Sequence, residues 1–474
     1  MRRMVIVGAA LALNGCGVGS GGSGGESVVA HGERLALHRD TLAAIVVSGK
    51  NVPTDRELVE RWAFRWVEFA LFTERLAEGD SLLDSATVVR AMWTEANQLL
   101  VDAYHDTLAA ERVRVDSATV DSAYAAGDHR LIYHILVRTR PDMSPPDRTD
   151  ARRRAEAVRE RLAAGGTWEV ENDLNEDPVA RRAGGSLGVI ERGQMVASFD
   201  DVAFRLEPGE LADVIETQYG YHVIRRPPLD EVRAPFTAEV SDILTVRMDS
   251  TVLREIEDRW NVRVEDDAAA LMREAAAGPL RTYQDPQALG RYGRSVFTTV
   301  DFVRWMQAMP TEVYRQVPGA SDEQLADLLH SLIRNEALVR EAHEEGMALD
   351  PDSLAALRQR LAQELEQVRS ITGLDSAMAG LAETEERLAA GAAAIRDYFR
   401  RVANNAATVV IVPPFLAHTL RGSMDWEVSQ RAIDAALERI VRLRQQQLEP
   451  SGVPPILPPS ETADDSIGEP DDAS

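Results

Sequence analysis

The stretch GGSLGVIERGQMVASFDDVAF, from Gly184 to Phe204, decides the fold of the middle of this chain. Its closely spaced glycines break any helix at that point. Upstream, Leu131 to Arg138 alternates and is rich in Ile, Leu and Val, as a β-strand requires, and Asp147 to Ala164 is predicted to be a charged helix. Downstream, the apolar residues of Tyr221 to Arg225 predict a closing strand. The middle of the chain is therefore predicted to be a compact α+β unit.

Short motifs of this unit follow one another in a fixed order. They are His134-Ile135-Leu136-Val137, Gly184-Gly185-Ser186-Leu187-Gly188, Arg192-Gly193-Gln194-Met195, Phe199-Asp200-Asp201-Val202-Ala203-Phe204 and Gly220-Tyr221-His222-Val223-Ile224. The set resembles that of the parvulin-type peptidyl-prolyl cis/trans isomerases, the PpiC or rotamase family, over residues 129–230. The resemblance implies a parvulin-like domain, which is a small mixed or antiparallel sheet with surrounding helices.

The same resemblance implies a slot for a proline ring. Leu187, Met195 and Phe199 fall on the positions that line this slot in parvulins, and all three are apolar. Catalysis there needs little covalent apparatus, because amide resonance alone sets the rotation barrier of about 18 to 20 kcal/mol. An apolar slot that removes water from the carbonyl group favours the twisted amide. We expect no nucleophile and no cofactor.

A set of polar residues is implied in the same way. His134 and His222 match the paired histidines at the floor of the family's site, and Thr217 matches the hydroxyl residue that joins their hydrogen bonds. The acidic or thiol position falls on Asp177 or, after a one-residue shift, on Pro178, and we choose Asp177. Linked imidazoles can set tautomers and geometry without proton transfer, so two roles for the histidines stay open: contact with substrate, or support of the site.

Several positions depart from the family's pattern. Where parvulins usually have an aromatic residue followed by Leu-Ala, this chain has Trp168 followed by Glu171 and Asn172. Ser186 replaces the common Asp of the glycine segment. These departures bear on turnover more than on fold, and they favour a rival interpretation in which the domain is a docking surface with little activity.

The segments on either side of this unit, 30–128 and 231–446, are predicted to be mainly α-helical modules. From Glu57 to Leu76 the apolar residues recur at spacings of three or four, which places them on one face of an amphipathic helix. The stretch Leu325 to Leu338 has the same period, and the C-terminal half is predicted to be nearly all α. The aromatic and apolar stripe is either core packing or a surface that binds client protein.

The two modules also resemble each other locally. Phe297 to Phe302 precedes the helix of the second module much as Arg34 to Leu37 precedes that of the first. Both helices then end at a Glu-Gly break, at Gly79 and at Gly346. Duplication explains this likeness, and so does chance similarity between helices rich in Ala, Leu, Arg and Glu.

The first residues have the pattern of a bacterial lipoprotein signal. A short basic region precedes an apolar stretch that is too short to span a bilayer, and Leu13-Asn14-Gly15-Cys16 resembles a lipobox. Residues 1–16 are therefore predicted to be a signal peptide with a lipidated Cys16, followed by a Gly/Ser tether at 17–29. Residues 447–474 mix Pro with acidic residues and are predicted to be disordered.

Composition limits the possible partners and cofactors. A formal charge of −25 over 474 residues argues against nucleic acid, whose binding needs clustered Lys and Arg. A single cysteine excludes an intramolecular disulfide, and the sequence has no His-Glu-x-x-His pair and no Cys/His ligand cluster, so no metal site is expected.

The order of segments is similar to that of exported foldases and chaperones of the PrsA and SurA type. This likeness implies a foldase that isomerises X–Pro bonds of exported or envelope proteins, with a lipid anchor on a membrane, facing the periplasm, and at the outer membrane if one is present. The alternative is a membrane-anchored periplasmic holdase chaperone with a weakly active or inactive parvulin domain. In both cases the partners are unfolded or partly folded exported proteins, and the oligomeric state is not indicated.

Overall fold

The structure is a computed structural model that describes residues 27–49 and 52–448. The predicted signal peptide with Cys16, nearly all of the predicted tether and nearly all of the predicted tail lie outside the described residues. Within the described residues, no helix combines the length and the apolar character that crossing a bilayer requires.

The N-terminal part is mainly helical, as predicted. Its elements are β1 (Val28–His31), β2 (Ala36–His38), α1 (Arg39–Ser48), α2 (Arg56–Ala77), α3 (Ser85–Ala91), α4 (Trp93–Arg112) and α5 (Ser117–Ala126). The amphipathic helix expected from Glu57 to Leu76 is α2, whose N-cap Asp55 accepts a hydrogen bond from the Leu58 amide. The next helical stretch is broken at Met92, where φ is −106° and ψ is 37°.

The middle of the chain forms a separate sheet with helices around it. Its elements are β3 (His129–Arg138), α6 (Pro145–Ala163), α7 (Trp168–Asn172), α8 (Pro178–Arg182), β4 (Ser186–Glu191), α9 (Ala197–Ala203), β5 (Ile215–Thr217) and β6 (Gly220–Arg225). The strands lie in the order β4-β3-β6-β5, and every neighbouring pair is antiparallel. The predicted α+β class is confirmed, and we call residues 129–230 the central domain.

The C-terminal part is mostly helical. Its elements are α10 (Leu229–Trp260), β7 (Arg263–Val264), α11 (Ala268–Ala277), α12 (Pro279–Thr282), β8 (Ala288–Tyr292), β9 (Ser295–Thr298), α13 (Thr299–Ala308), α14 (Thr311–Gln316), a 3₁₀ turn (Val317–Gly319), α15 (Asp322–Glu344), α16 (Pro351–Thr372), α17 (Leu374–Met378), α18 (Thr384–Ala403), α19 (Pro414–Ser423), β10 (Glu427–Val428) and α20 (Gln430–Leu448). The expectation of a nearly all-α half missed the small sheet β7-β8-β9.

The two ends of the chain share one hydrophobic core. It combines buried residues of β1 to α4 with buried residues of α16 to α20. Phe69 of α2 packs edge-on against Phe399 of α18, with ring centroids 5.7 Å apart. Strand β10 pairs with β1, so that a sheet also joins the two ends. The predicted modules are therefore in contact, and we call the described residues outside the central domain the helical body.

A hairpin followed by a helix occurs twice in the helical body. Helix α1 begins at Arg39 directly after β2, and α13 begins at Thr299 directly after β9, 260 positions later. Buried residues repeat at the same spacing, with Leu37 matching Phe297 and Leu42 matching Phe302. In both hairpins the first strand also pairs with a third strand, β10 or β7, and its register shifts at the same place. The structure thus favours duplication over chance.

The central domain is held between α5 and α10. Tyr124 of α5 packs edge-on against Phe236 of α10 at 4.9 Å. The Arg226 guanidinium donates hydrogen bonds to the carbonyl of Leu206 at 3.0 Å and to that of Tyr124 at 2.7 Å. Because Arg226 is 3% exposed, these bonds compensate for burying its charge. They fix one edge of the central domain to the helical body.

Candidate functional site

A cavity of about 910 Å³ opens on the central domain. Six of the residues assigned to the site from the sequence line it. They are His134, Asp177, Leu187, Met195, Phe199 and His222. The seventh, Thr217, touches His222 at the end of β5. Five stretches of chain thus bring the whole assigned set together.

The apolar wall comes from β4 and from the segment that enters α9. Leu187 lies on β4, Met195 precedes α9 and Phe199 lies in its first turn. The Phe199 ring is 3% exposed and meets both imidazoles edge-on, at 5.9 Å from His134 and 5.3 Å from His222. The wall and the histidines therefore border the same space.

The two histidines meet because β3 and β6 are antiparallel neighbours. His134 lies opposite Ile224, and His222 lies opposite Leu136, so that the imidazoles are diagonal neighbours on one face. Their Nδ1 atoms are 3.2 Å apart, and the rings are stacked with an interplanar angle of 25°.

The partners of each nitrogen determine where the protons are. The Tyr219 amide donates to the Thr217 hydroxyl at 3.1 Å, and that hydroxyl lies 2.8 Å from Nε2 of His222. Nε2 of His134 lies 3.2 Å from the Asp177 carboxylate, which only accepts, so the proton of a neutral His134 is on Nε2. Nδ1 of His134 then accepts from Nδ1 of His222, whose Nε2 accepts from the Thr217 hydroxyl. This arrangement is satisfied when both imidazoles are neutral.

The electrostatic environment agrees with neutral histidines. Burial lowers the pKa of His134, and burial together with the nearby His134 lowers the pKa of His222 to about 3. Burial raises the pKa of Asp177, but the amides of Ala180 and Val179 and the nearby His134 outweigh that effect and leave it lowered. At neutral pH the Asp177 carboxylate thus lies beside two uncharged rings.

Asp177 has two neighbours that fix its position. Its Oδ2 lies 3.2 Å from Nε2 of His134. Its Oδ1 caps α8 by accepting from the amides of Val179, at 2.9 Å, and Ala180, at 3.2 Å. Pro178, the alternative position, is the first residue of α8 and is not part of the cavity lining. The geometry therefore favours Asp177 as the acidic position.

Glu171, one of the residues that depart from the family's pattern, is structural. It is 5% exposed and receives two hydrogen bonds of 2.7 Å from Arg161. The other helix position, Asn172, donates to the Arg181 carbonyl at 2.9 Å. Neither residue lines the cavity. Their contacts stabilise the helices behind the site, and Asn172 also accepts a hydrogen bond from Asn175 at 3.1 Å.

Asn175 is a residue that the sequence did not single out. Its side chain accepts from the Leu136 amide at 3.0 Å and donates to the His134 carbonyl at 2.8 Å. It is 2% exposed. By bonding the β3 backbone on both sides of Ile135, directly after His134, it fixes the strand that carries that imidazole. Only its place two residues before Asp177 could have drawn attention to it.

A glycine also shapes the floor. Gly185 has φ of +91°, and a Cβ there would lie 2.5 Å from Nε1 of Trp168. The Trp168 indole donates to the Gly184 carbonyl at 2.9 Å, and the Gly185 carbonyl accepts from the His134 amide at 2.8 Å. Glycine is therefore required where the chain passes beneath His134.

Comparison with known families identifies this domain. Residues 134–227 match the family model described as "Rotamase: PPIC-type PPIASE domain". The central domain is therefore a PPIC-type peptidyl-prolyl isomerase domain, and its parvulin-like fold agrees with the sequence analysis.

Curated relatives share a limited part of their length with this chain. The chain is 36% identical over 121 residues to "Chaperone SurA" of Cupriavidus pinatubonensis, which covers 25% of this chain and 23% of that protein. It is 29% identical over 134 residues to "Foldase protein PrsA 1" of Bacillus cereus, which covers 26% of this chain and 46% of that protein. The matched stretch is thus less than half of either relative.

Solved structures give similar partial matches. A crystal structure of PrsA from Bacillus subtilis is 24% identical and covers 32% of this chain and 59% of that chain, with a TM-score of 0.20. The Pin structure from the archaeon Cenarcheaum symbiosum is 37% identical and covers 21% of this chain and 92% of that chain, with a TM-score of 0.18.

Proposed function

We propose that this chain is a peptidyl-prolyl cis/trans isomerase that acts as a foldase on unfolded or partly folded exported proteins. The observation that supports it most is the meeting of Leu187, Met195 and Phe199 with the neutral pair His134 and His222 in one cavity of the PPIC-type domain. The names of the relatives, chaperone and foldase, support the same role.

The mechanism is non-covalent. Rotation about the X–Pro bond removes amide resonance, so the twisted state has a less polar carbonyl group than the planar ground state. A dry apolar wall stabilises the less polar state relative to the planar amide. Lowering the barrier by about 5 kcal/mol would accelerate rotation by a factor of a few thousand. Phe199 and Met195 provide this wall and bind the proline ring.

The histidines position the slot and exchange no proton with substrate. His222 donates from Nδ1 to His134 and accepts at Nε2 from Thr217, so neither of its nitrogens is free for general acid or base work. Both imidazoles remain neutral because burial lowers their pKa values. Their rings hold Phe199 edge-on and so keep the slot open for the proline.

A matched pair of variants tests the proposal. Rotation in a proline-containing tetrapeptide is followed with the full chain, with Met195→Ala and with Val170→Ala. Val170 is 65% exposed on α7, lies outside the cavity and undergoes a similar loss of side-chain atoms. We expect kcat/KM to fall about 10- to 100-fold in Met195→Ala, which corresponds to about 1.4 to 2.7 kcal/mol. Val170→Ala should equal wild type. A wild-type chain that leaves the uncatalysed rate unchanged would reject the isomerase role.

A holdase chaperone is the second candidate function. Its supporting observation is the size of the helical body, which surrounds the central domain on both sides in sequence and has an exposed apolar groove near Trp62 and Val409. The positions of Glu171 and Asn172 weaken this candidate as an explanation of the whole chain, since neither side chain lines the slot. Suppression of client aggregation by a Met195→Ala variant without isomerase activity would favour it.

The proposed location follows from the sequence. A signal peptide that ends at a lipidated Cys16 would place the described residues outside the cytoplasm on a membrane, facing the periplasm. Metabolic labelling with a radioactive fatty acid tests this proposal. Loss of the label in Cys16→Ser is the expected result, and an unlabelled wild-type chain is the contrary one.

A further inference from the structure

An apolar groove of about 560 Å³ lies on the helical body, far along the chain from the central domain. Aromatic rings form much of its lining, with Trp62 and Phe69 on α2 and Tyr398 and Phe399 on α18. Trp62 packs edge-on against Phe399 at 5.7 Å, so that the rings make a continuous wall. The groove is shaped to receive an extended apolar segment.

The other wall of the groove is an extended segment, Thr408 to Val412. Its burial alternates as in a strand, with Val410 and Val412 buried while Val409 is 67% and Ile411 is 43% exposed. Within the described residues it belongs to none of the three sheets. The Tyr398 hydroxyl accepts from the Val410 amide at 2.8 Å and fixes the segment in place. Two large apolar side chains are thus held rigidly toward solvent beside the aromatic wall.

A series of neighbouring contacts connects the last described helix to this groove. Arg444, in the last turns of α20, donates to the Val52 carbonyl. Gly49 lies beside both Val52 and Ala403, since a Cβ on Gly49 would lie 2.5 Å from Cγ2 of Val52 and 2.3 Å from the Ala403 oxygen. Val402, adjacent to Ala403, lines the groove. These neighbours connect the C-terminal turns of α20 to the Val402 part of the groove.

The sequence that follows α20 complements the groove. The segment Val453-Pro454-Pro455-Ile456-Leu457-Pro458-Pro459 is apolar and rich in proline. Proline-rich segments favour the polyproline II conformation, which binds grooves lined by aromatic rings at a low cost in ordering entropy. Leu457 lies nine positions after Leu448, and an extended chain of nine residues spans about 30 Å.

Charge complements the same arrangement. Acidic residues follow the apolar segment, at Glu461, Asp464 and Asp465. The groove is bordered by Arg61 and Arg65, whose side chains are 53% and 43% exposed. Each of these arginines has one carboxylate partner on its own helix, Glu57 or Glu68, and keeps donors that face solvent.

We infer that Val453–Pro459 docks into the groove of its own chain, with Ile456 and Leu457 against Trp62, Val409 and Ile411. The tail covers the exposed side chains of Val409 and Ile411, and any other extended apolar segment must displace it. Attachment to α20 gives the tail an effective concentration in the millimolar range, so weak intrinsic binding is sufficient. This inference is independent of isomerase activity, and it narrows the predicted disorder of 447–474 to the residues after the docked segment.

Hydrogen exchange in the full chain tests the inference. Exchange of the backbone amides of 408–412 is compared in wild type, in the double variant Ile456→Asp/Leu457→Asp and in Ile467→Asp. Ile467→Asp introduces the same apolar-to-acidic change in the tail but outside the docking segment. We expect exchange at Val409 and Ile411 to be at least about 10-fold faster in the double variant than in wild type, and unchanged in Ile467→Asp.

Other occupants give different results. Equal exchange in all three chains would overturn the inference. Protection that rises with protein concentration in wild type would also overturn it, because a second copy would then be the occupant. Protection that appears in wild type only after an unfolded client protein is added would assign the groove to client instead. Restored protection when a peptide of residues 452–460 is added to the double variant would support the inference.

Discussion

The central domain closes on itself within residues 129–230, whereas the helical body draws one core from both ends of the chain. In the central domain, contacts that build the site join strands that are neighbours in one sheet, as His134 and His222 do across β3 and β6, 88 positions apart. In the helical body, Arg421 reaches back to Glu68 across most of the chain. The central domain can therefore be recognised from short sequence motifs. The helical body depends on long-range pairings that no sequence motif indicates.

The largest expected effect tests the shared core of the helical body. Arg421 has a side chain only 3% exposed, and its Nη1 lies 2.6 Å from Oε1 of Glu68. Arg421→Ala leaves the buried Glu68 with its more exposed partner Arg65 alone, so we expect about 3 kcal/mol of lost stability. Chemical denaturation of the full chain measures this loss.

A control variant acts on the same carboxylate. Arg65→Ala removes the other partner of Glu68. Because the Arg65 side chain is 43% exposed, we expect the variant to lose less than about 1 kcal/mol of stability. Isomerase activity should survive in both variants under native conditions, because the central domain has its own core. Equal losses in the two variants would contradict a core that depends on α19 and α2 together.

The next largest expected effect is a loss of stability of the central domain at acidic pH. The pKa of His222 is lowered to about 3, while the unfolded chain binds the proton near pH 6.5. The stability that depends on a neutral His222 is therefore fully present above pH 6.5 and is lost as the pH falls toward 3. Between pH 7 and pH 5 we expect a loss of about 2 kcal/mol, seen as faster amide exchange in β3 and β6.

The variant His222→Gln checks the origin of that pH dependence. Glutamine cannot be protonated in this range, so the loss between pH 7 and pH 5 should become smaller by about 2 kcal/mol. The turnover of wild type should stay flat from pH 5 to pH 8, since His222 does not change its charge there. A bell-shaped profile over that range would show that the histidines exchange protons with substrate.

The smallest expected effect distinguishes the two roles of Asp177, the cap of α8 and the charge beside His134. Asp177→Asn keeps an oxygen that can cap α8 but removes the charge beside His134, whereas Asp177→Ala removes both. We expect about 1 kcal/mol less stability in Asp177→Ala and a smaller change in Asp177→Asn. If the two variants lose turnover to the same large extent while both remain folded, the carboxylate has a direct role in catalysis.

The sequence predicted much of the site because its signals are local. Glycine breaks, an alternating strand and the two histidines each need only a few neighbouring residues, and the structure brings these parts together around one cavity. The role of Asn175 could not be predicted from the sequence. Its side chain bonds the backbone at His134 and Leu136, about forty residues away, and such a contact leaves no periodic pattern.

The helical body was harder to predict for the opposite reason. Amphipathic periods located α2 and α15 but could not show which faces meet, because any apolar stripe can pack against any other. The sheet β7-β8-β9 was missed since strands such as Arg263–Val264 are too short to show alternation. The sequence indicates a likeness between Arg34 to Leu37 and Phe297 to Phe302, and the structure adds that the strand pairing repeats at a spacing of 260 positions.

The most direct test of the account is the rate constant of a slow, proline-limited refolding phase of a client protein, measured with wild-type chain and with Met195→Ala at equal concentration. If the slot performs the folding function, wild type accelerates this phase in proportion to its concentration, and Met195→Ala accelerates it about 10- to 100-fold less. Equal acceleration by the two chains, or none by either, would contradict the account.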